Sequence, residues 1–542
     1  MNGGEALAEV LKREGVEQIF CFPSSSLIDA AAAAGIRPIV GREERSVINM
    51  ADAYSRVTNG RSIGVVMVQG GPGIEHSFGS IAQAYADSVP LLMLPGGVAR
   101  GRYGVRNSFD AVEAYRPITK WASRFTTAAS VPEQLRRAFV HLRSGRPGPV
   151  VLEMPADVVA EQFDGFAYSS PERPRSAADP AKVTEAVRLL LSAERPVFYA
   201  GQGVLWAEAT DELVELAELV QVPVMTSYIG KSAFPENHPL ALGAGGAALS
   251  AGIYHLLPKA DLVFGIGSSL LRSLGAHGIP AGRTIVQATA DPDDLGAEYP
   301  IACGLVGDAK LVLTQLIEEV RSQLPGGRPT ATGLHVEIAE ARSAGRREIG
   351  DRLSPEAKPI NPYRVIDEIM RAVDPATTII THDSGYPRDH LAPTYESVVP
   401  RGYLGWGQTT PLGSSLGLAL GAKAAAPDKT VIAFMGDAAF GQCGLEVETS
   451  VRNHLPILVV LVNNGEMGVY EKMQPVAVER YGLKYLTGKY CDVAAALGAH
   501  TERVENAWDL APALAKALEQ VAGGQTAVLE VITTPEPFVF RL

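Results

Sequence analysis

Cysteine and long apolar runs are scarce in this chain of 542 residues. The four cysteines, Cys21, Cys303, Cys443 and Cys491, lie far apart and lack the spacing of metal ligands. In so long a chain, whose first residues show no secretory leader, we expect buried free thiols rather than a disulfide framework. No stretch reaches the roughly 18 apolar residues of a membrane span, and the N-terminus reads as an amphipathic helix. We therefore expect a cytoplasmic protein with no membrane partner.

Positive charge is also in short supply, because 60 acidic residues outnumber 48 Lys and Arg, for a formal net charge of -12. This balance argues against nucleic acid and anionic membranes as partners. It does not exclude a phosphorylated ligand, since backbone amides and a metal ion bind phosphate without net positive charge. A small-molecule substrate is the expected partner.

One supersecondary pattern occurs three times: an apolar strand, a glycine-containing turn, a helix, and a proline that opens a second apolar strand. The copies begin at Ser62, Arg195 and Thr430, and their second strands open at Pro90, Pro223 and Pro456. The intervals 70–90 and 436–456 are both 20 residues. Short continuous apolar runs are typical of parallel strands covered by helices on both faces. We predict an α/β protein of three doubly wound parallel-sheet domains, with the first and third alike.

Two polar stretches rich in proline or glycine, residues 168–180 and 324–333, divide the chain. A polar helical stretch follows the second of them. These features predict domains over residues 1–168, 181–325 and 355–542.

The most informative segment covers residues 436–470. Asp437 lies where one apolar strand ends, and Asn464 where the next ends, 27 residues later. Ligands bind at the carboxyl ends of strands in an open parallel sheet, so we expect these oxygen side chains to meet there. With a carbonyl from the following loop they would give Mg²⁺ three oxygen ligands, leaving room for phosphate and water. The small residues Ala438 and Ala439 would let backbone amides approach a diphosphate.

Either oxygen side chain alone would more often be a helix cap, but the pair favours a ligand site. The segment, with GD at its start and NN at its end, resembles the thiamine diphosphate signature of the acetolactate synthase and 2-oxoacid decarboxylase superfamily. The resemblance implies that Asp437, Asn464 and the backbone carbonyl of Glu466 bind Mg²⁺. It also places four residues beside the cofactor: Gly436, Ala438, Ala439 and Met467. The family's third glycine is Ala438 here, which adds one methyl group beside the diphosphate.

In the first domain, Glu43 and Glu44 lie between an apolar strand and a helix. By spacing alone, both are first-turn acids that favour the helix dipole. Relatives read HE here, and the register of Met50, Asp52 and Arg56 in the following helix assigns the family's catalytic carboxyl group to Glu44. Such a group protonates the pyrimidine ring of the cofactor, and burial raises its pKa. The family draws this glutamate and the metal residues from different subunits, which implies a homodimer or homotetramer with interfacial active sites.

Other segments that resemble the family suggest further site residues, and residues 405–429 align on Gly421, Ala422 and Lys423. Leu412 falls where a bulky side chain holds the two cofactor rings in a bent conformation, and the Thr410 carbonyl would accept from the cofactor's amino group. Ser25, Gln69 and Asn107 fall on three loops that should face the substrate. Gln69 stands where some decarboxylases have a catalytic His, and Asn107 where acetolactate synthases have Gln. Each of these polar residues could instead satisfy backbone groups of its own turn.

The middle domain resembles the central, Rossmann-like domain of the superfamily, which holds FAD in acetolactate synthases and a nucleotide in acyl-CoA relatives. The turn that accompanies FAD is replaced here by residues 265–278. Isolated glycine-rich turns are weak nucleotide signals. FAD is left open and is not predicted; the predicted cofactors are thiamine diphosphate and Mg²⁺.

The resemblance spans almost the whole chain and implies an enzyme, a transferase or lyase. It would act on a 2-oxoacid as a carboligase or decarboxylase, forming or cleaving a carbon–carbon bond next to a carbonyl. One alternative is a 2-hydroxyacyl-CoA lyase or an oxalyl-CoA decarboxylase. Another is a degenerate, non-catalytic relative that binds nucleotide. The second alternative predicts lost ligands, whereas Glu44, Asp437 and Asn464 are all present.

Overall fold

The computed structural model describes residues 1–23, 25–272, 276–350, 352–354, 356–409, 411–468 and 470–537. Within them the chain forms three six-stranded sheets whose strands pair in parallel. The chain divides into two compact units. The first unit comprises residues 1–174, 416–428 and 445–455, and the second comprises residues 175–415, 429–444 and 456–542.

The first sheet lies in the first unit. Its strands are β1 (Gln18–Cys21), β2 (Arg37–Val40), β3 (Gly64–Val68), β4 (Leu91–Gly97), β5 (Trp121–Arg124) and β6 (Val150–Pro155). Its helices are α1 (Gly3–Arg13), α2 (Ser26–Ala33), α3 (Glu44–Val57), α4 (Pro72–Ala86), α5 (Ala111–Tyr115), α6 (Val131–Arg143) and α7 (Ala156–Ala160). The strand order is β2-β1-β3-β4-β6-β5. Every residue of β3 is buried, as expected of a central strand covered on both faces.

The second sheet follows in the second unit. Its strands are β7 (Pro196–Ala200), β8 (Val224–Ser227), β9 (Ala241–Gly245), β10 (Leu262–Ile266), β11 (Thr284–Thr289) and β12 (Cys303–Val306). The accompanying helices are α8 (Pro180–Ser192), α9 (Gln202–Trp206), α10 (Thr210–Val220), α11 (Ala251–Leu256), α12 (Ala309–Gln323) and α13 (Thr332–Gly350). The order β12-β11-β10-β7-β8-β9 is the strand order of dinucleotide-binding folds.

The third sheet completes the chain. Its strands are β13 (Thr378–His382), β14 (Tyr403–Leu404), β15 (Thr430–Gly436), β16 (Leu458–Asn463), β17 (His500–Val504) and β18 (Ala527–Ile532). The helices are α14 (Pro362–Ala372), α15 (Tyr386–Thr394), α16 (Ser415–Ala425), α17 (Asp437–Cys443), α18 (Val447–Arg452), α19 (Tyr470–Met473), α20 (Pro475–Tyr481), α21 (Tyr490–Ala496) and α22 (Ala507–Ala522). The order β14-β13-β15-β16-β18-β17 repeats that of the first sheet, strand for strand. This confirms the prediction that the first and third domains are alike.

Two segments of the C-terminal third, residues 416–428 and 445–455, belong to the first unit. They contain most of α16 and all of α18. The packing of α16 on α3 depends on glycine, because a Cβ at Gly421 would lie 2.0 Å from the carbonyl oxygen of Met50. A side chain at this position would push the two helices apart.

Other sequence expectations can be compared directly with the structure. The predicted linkers fall between α7 and α8 and between α12 and α13, while the domain boundaries themselves stay a prediction. All four cysteines are buried and free, as predicted. Among the residues that the structure describes, none of the helices combines the length and the apolarity that a bilayer crossing requires.

Candidate active site

The carboxyl ends of β15 and β16 lie side by side, because these strands pair in parallel. Asp437 begins α17 directly after β15, and Asn464 is the first residue after β16. The Asp437 carboxylate accepts a hydrogen bond from the amide of Gly465 at 3.0 Å. The side-chain oxygen of Asn464 accepts one from the amide of Glu466 at 3.1 Å. The two predicted ligands therefore bind the same short loop.

Asp437 is 3% exposed, and its second oxygen accepts from the amide of Ala438 at 3.0 Å. Burial raises the pKa of Asp437 to about 6, and the backbone amides of Ala438 and Gly465 act in the opposite sense. The nearby carboxylate of Glu466 adds to the rise. The groups that act most strongly on this acid therefore include no basic side chain.

Lys484 forms ion pairs with two acids that follow Asn464 in the chain. Its ammonium group lies 3.0 Å from the Glu466 carboxylate and 2.7 Å from that of Glu471. The amide of Met467 also donates to the Lys484 carbonyl oxygen at 2.7 Å. Because the side chain of Glu466 is engaged by a lysine, a metal role for this residue falls to its backbone carbonyl.

Sequence analysis did not single out Asp383, a fully buried acid that follows β13, the neighbour of β15. Its two carboxylate oxygens accept from the amides of Ser384 at 2.7 Å, Gly413 at 3.0 Å and Ser415 at 2.8 Å. Asp383 therefore fixes the loop that carries Leu412. Its only signal in the sequence is an acid directly after an apolar strand, which is equally typical of a helix cap.

The remaining residues predicted beside the cofactor differ in how far they are buried, and one of them is not described. Thr410 lies outside the described residues. Leu412 is half-buried and precedes Gly413, whose φ of 82° lies in the left-handed region that favours glycine. Gly436, Ala438 and Met467 are also half-buried, whereas Ala439 is buried.

In the first unit, the structure brings Glu44 and Gln69 together. Glu44 is the first residue of α3 and is 7% exposed. A Cβ at Gly73 would lie 3.0 Å from the Cβ of Gln69 and 3.2 Å from Oε1 of Glu44. The exposed His76 approaches the other oxygen of Glu44, with Nδ1 at 3.4 Å from Oε2. The missing side chain of Gly73 thus lets Gln69 and the nearly buried Glu44 approach its backbone closely.

The structure gives Ser25 and Asn107 roles in their own loops. The hydroxyl of Ser25 accepts from the amide of Leu27 at 3.3 Å and caps α2. Asn107 is exposed, and its φ of 75° places it in a left-handed turn. Their assignment to the substrate pocket stays a prediction.

Two histidines of the third domain are buried. His382 ends β13, and its ring lies between the rings of Tyr403 and Trp406 at centroid distances of 5.5 and 5.3 Å. A Cβ at Gly405 would lie 1.7 Å from its Nε2, so the ring occupies the space of a missing side chain. His390 lies within α15. Both have the burial of core residues.

A cavity of about 410 Å³ in the second unit is lined by parts of α11, α13 and α14 and by residues 393–396. Its lining contains none of the residues that the sequence predicts for the active site.

Three thiamine pyrophosphate enzyme family models match the chain. The N-terminal TPP binding domain matches residues 1–115, the central domain residues 183–316, and the C-terminal TPP binding domain residues 383–531. The last match includes Asp437, Asn464 and Asp383, and the first includes Glu44 and Gln69.

Several characterised sequences are similar over nearly their whole length. Glyoxylate carboligase of Escherichia coli O157:H7 is 32% identical, over 98% of this chain and 93% of the relative. Sulfoacetaldehyde acetyltransferase of Alcaligenes xylosoxydans xylosoxydans is 31% identical, over 99% and 94%. The acetolactate synthase isozyme 3 large subunit of Escherichia coli K12 is 28% identical, over 100% and 96%.

Proposed function

We propose that this chain, which belongs to the thiamine pyrophosphate enzyme family and is of the acetolactate synthase type, acts on a 2-oxoacid. In this proposal it removes CO₂ and transfers the remaining acyl group to a second carbonyl compound. The names of three relatives, a carboligase, an acetyltransferase and a synthase, support the transfer step. The observation that carries the proposal is the loop that Asp437 and Asn464 share at neighbouring strand ends.

The residues at these strand ends fit a divalent cation that binds a diphosphate. Asp437 is a buried acid whose strongest influences include no basic group, so a cation would compensate its charge. A carboxylate, a carboxamide and a backbone carbonyl are all hard oxygen donors of the kind that Mg²⁺ prefers. We therefore assign Mg²⁺ to Asp437, Asn464 and the carbonyl of Glu466. The diphosphate would lie against Gly436, Ala438, Ala439 and Met467.

What thiamine diphosphate supplies when bound is a carbon nucleophile that can hold the electron pair released by departing CO₂. The chain itself would supply an acid: the carboxyl group of Glu44 would hold a proton at the pyrimidine nitrogen of the cofactor. Gln69 approaches the same glycine, Gly73, as Glu44 does, and its amide would orient the substrate. Leu412 and the Thr410 carbonyl would support the bent cofactor, and Ser25 and Asn107 would contribute to the substrate pocket.

We also propose that the enzyme is at least a homodimer with active sites at the interface. Glu44 belongs to the first unit and Asp437 to the second. Large apolar side chains that are each more than half exposed follow the metal loop: Met473, Val476, Tyr481, Leu483 and Tyr485. Such a patch is typical of a protein–protein interface, and a second copy of this chain is the occupant we propose.

The substrate class can be tested on the purified enzyme loaded with thiamine diphosphate and Mg²⁺. We expect CO₂ release from pyruvate or glyoxylate, together with a new ketol when a second carbonyl compound is present. The same assay with oxalyl-CoA or a 2-hydroxyacyl-CoA is the comparison. Turnover of the acyl-CoA compounds without CO₂ release from any 2-oxoacid would contradict the proposal.

Glu44→Gln tests the role of the carboxyl group. We expect kcat to fall by at least about 100-fold, because general acid–base groups typically contribute that much. The dissociation constant of the cofactor should change little, since the metal residues are untouched. Glu43→Gln is the control, because the Glu43 carboxylate accepts from the hydroxyl of Ser46 at 2.9 Å and has no proposed role in catalysis. Full activity of Glu44→Gln would remove Glu44 from the mechanism.

A further inference from the structure

Glu446 is a buried acid of the first unit to which the proposed function gives no role. It ends the one-turn 3₁₀ helix Gly444–Glu446 and is 1% exposed. One of its carboxylate oxygens accepts hydrogen bonds from the amides of Arg42 at 2.8 Å and Glu43 at 3.0 Å. These amides belong to the turn between β2 and α3, and the next residue is Glu44.

This turn depends on partners outside itself. Glu43 is the N-cap residue of α3, yet its side chain makes no capping hydrogen bond. Its carboxylate accepts from the hydroxyl of Ser46 instead. The acceptor for the amides of Arg42, an exposed residue, and Glu43, a half-buried one, is the carboxylate of Glu446 from another part of the chain.

The strand before the turn is held from the same direction. The guanidinium of Arg452, at the end of α18, donates to the carbonyl oxygen of Val40 at 2.7 Å. The guanidinium of Arg37 donates to the carbonyl oxygen of Asn453 at 2.8 Å. The segment that carries Glu446 therefore contacts β2 and the turn at several points, and Glu446 holds the point nearest to Glu44.

A buried carboxylate is costly unless it has a specific use. Burial raises the pKa of Glu446, and the amides of Arg42 and Glu43 act in the opposite sense. An apolar side chain would avoid the desolvation cost but would leave both amides without an acceptor. The acid is thus matched to the geometry of this turn.

We infer that Glu446 is the positioning residue for Glu44: it holds the two preceding amides so that α3 begins at Glu44 and the carboxyl group is presented correctly. This inference rests on the proposed role of Glu44. Glu446 follows Asp437 by nine residues, and α17 and the 3₁₀ helix fill that interval.

Three substitutions of Glu446 in the full chain test the length of its side chain separately from its charge. Glu446→Gln keeps an acceptor oxygen at the same reach, Glu446→Asp keeps the charge but is one methylene shorter, and Glu446→Ala removes both. Hydrogen–deuterium exchange of a peptide covering residues 37–46 reports on the Arg42 and Glu43 amides without any turnover. We expect exchange to be at least about tenfold faster in the Ala and Asp variants and within about threefold of the parent in the Gln variant.

Activity of the loaded enzyme should follow the same order. We expect kcat to fall by about 10- to 100-fold in the Ala and Asp variants, with KM and cofactor affinity nearly unchanged, because a small misplacement of a reacting group costs this much. The Gln variant should retain most of kcat. If the Ala variant does not fold, the Asp and Gln variants still decide the question.

Glu14→Ala is the matched control, because Glu14 is another buried acid of the first unit, bonded to the Ser170 hydroxyl at 2.8 Å. It should lower the melting temperature without faster exchange over residues 37–46. Equal exchange in Glu446→Ala and Glu14→Ala would overturn the inference, and so would an Asp variant that behaves better than Gln. Since exchange needs no catalysis, failure of Glu44 as the acid would be seen separately in Glu44→Gln.

Discussion

Among the buried acids of the chain, Asp383, Asp437 and Glu446 all accept hydrogen bonds from backbone amides. Asp383 accepts from three amides, and Glu446 binds two with one oxygen. Asp437 differs because its carboxylate and the side chain of Asn464 bind the same loop at neighbouring strand ends. The neighbours of an acid, rather than its burial, are therefore the basis on which we propose Asp437 as a metal ligand and the other two as structural anchors.

Asp437→Ala should abolish the Mg²⁺-dependent retention of thiamine diphosphate. Loss of a charged ligand worth about 3 kcal/mol raises Kd by more than about 100-fold. Titration calorimetry of the cofactor with and without Mg²⁺ measures this. Glu471→Ala is the control, since Glu471 is an acid of the same region that pairs with Lys484. Tight, metal-dependent binding by Asp437→Ala would refute the assignment.

His390 should make the protein sensitive to acid. It is 2% exposed, its Nε2 donates to the Glu536 carbonyl oxygen at 2.8 Å, and burial lowers its pKa to about 4. As the pH falls, His390 binds a proton first in the unfolded chain, near pH 6.5. The stability that neutral His390 contributes to the folded state is therefore fully present above that pH. It is lost as the pH falls towards 4, by up to about 3 kcal/mol.

The measurement is the melting temperature between pH 7 and pH 4 for the parent and for His390→Gln, which keeps a donor for the carbonyl. We expect a shallower decline in the variant. Identical pH profiles would show that His390 does not contribute to acid unfolding.

Glu44, Asp437 and Asn464 could be found in the sequence because each belongs to a compact pattern of neighbouring residues. Asp383 and Glu446 could not. The amides that Asp383 holds in the Leu412 loop lie 30 and 32 residues away, and those that Glu446 holds lie 403 and 404 residues away. An acid that acts through so distant a contact leaves no local signal of its partner.

At the scale of elements, the apolar runs and their prolines predicted the strands well, and the equal intervals predicted two similar domains. The order of strands within a sheet was not predicted, because periodicity shows where a strand lies and not which strand it pairs with. The membership of α16 in the first unit was also missed. Its sequence indicates a helix but does not name the surface on which it packs.

Two matched substitutions test the contact between α16 and α3. Gly421→Ala should destabilise the protein by about 1–3 kcal/mol, because the added Cβ would lie 2.0 Å from the Met50 carbonyl oxygen. Gly79→Ala, in α4 of the same unit, meets nothing within 4 Å. It should stabilise the protein by up to about 1 kcal/mol through helix propensity. Chemical denaturation measures both, and a neutral Gly421→Ala would contradict the close packing.

At the scale of the whole molecule, similarity to the thiamine pyrophosphate enzyme family models and to three relatives over at least 93% of their length accounts for the family and for thiamine diphosphate. It does not select one substrate, since these relatives carry three different names. The loops that would select the substrate contain Gln69 and Asn107, two positions at which the residue type differs from that in relatives. Selectivity depends on such exposed loop residues, whereas the fold depends on the buried strands.

The exposed apolar side chains that follow the metal loop allow the proposed self-association to be tested. Tyr481→Asp should weaken self-association, because it places a charge where we propose that a second copy packs. Analytical ultracentrifugation over a range of concentrations measures this. Trp508→Asp, at another exposed aromatic outside residues 470–486, is the control and should leave the mass unchanged. A parent protein that remains monomeric at all concentrations would contradict the dimer.

Residues 416–428 and 445–455 come from the C-terminal third of the chain but fold with the N-terminal sheet. A polypeptide truncated at the linker near residue 330 would therefore lack α16, which covers α3 through Gly421, and Glu446, which binds the turn before Glu44. The two halves of such a severed gene would have to be produced together, since each lacks something that the other encodes. The proposed catalytic acid, Glu44, thus depends on translation of the last third of the protein, long after its own residue has been made.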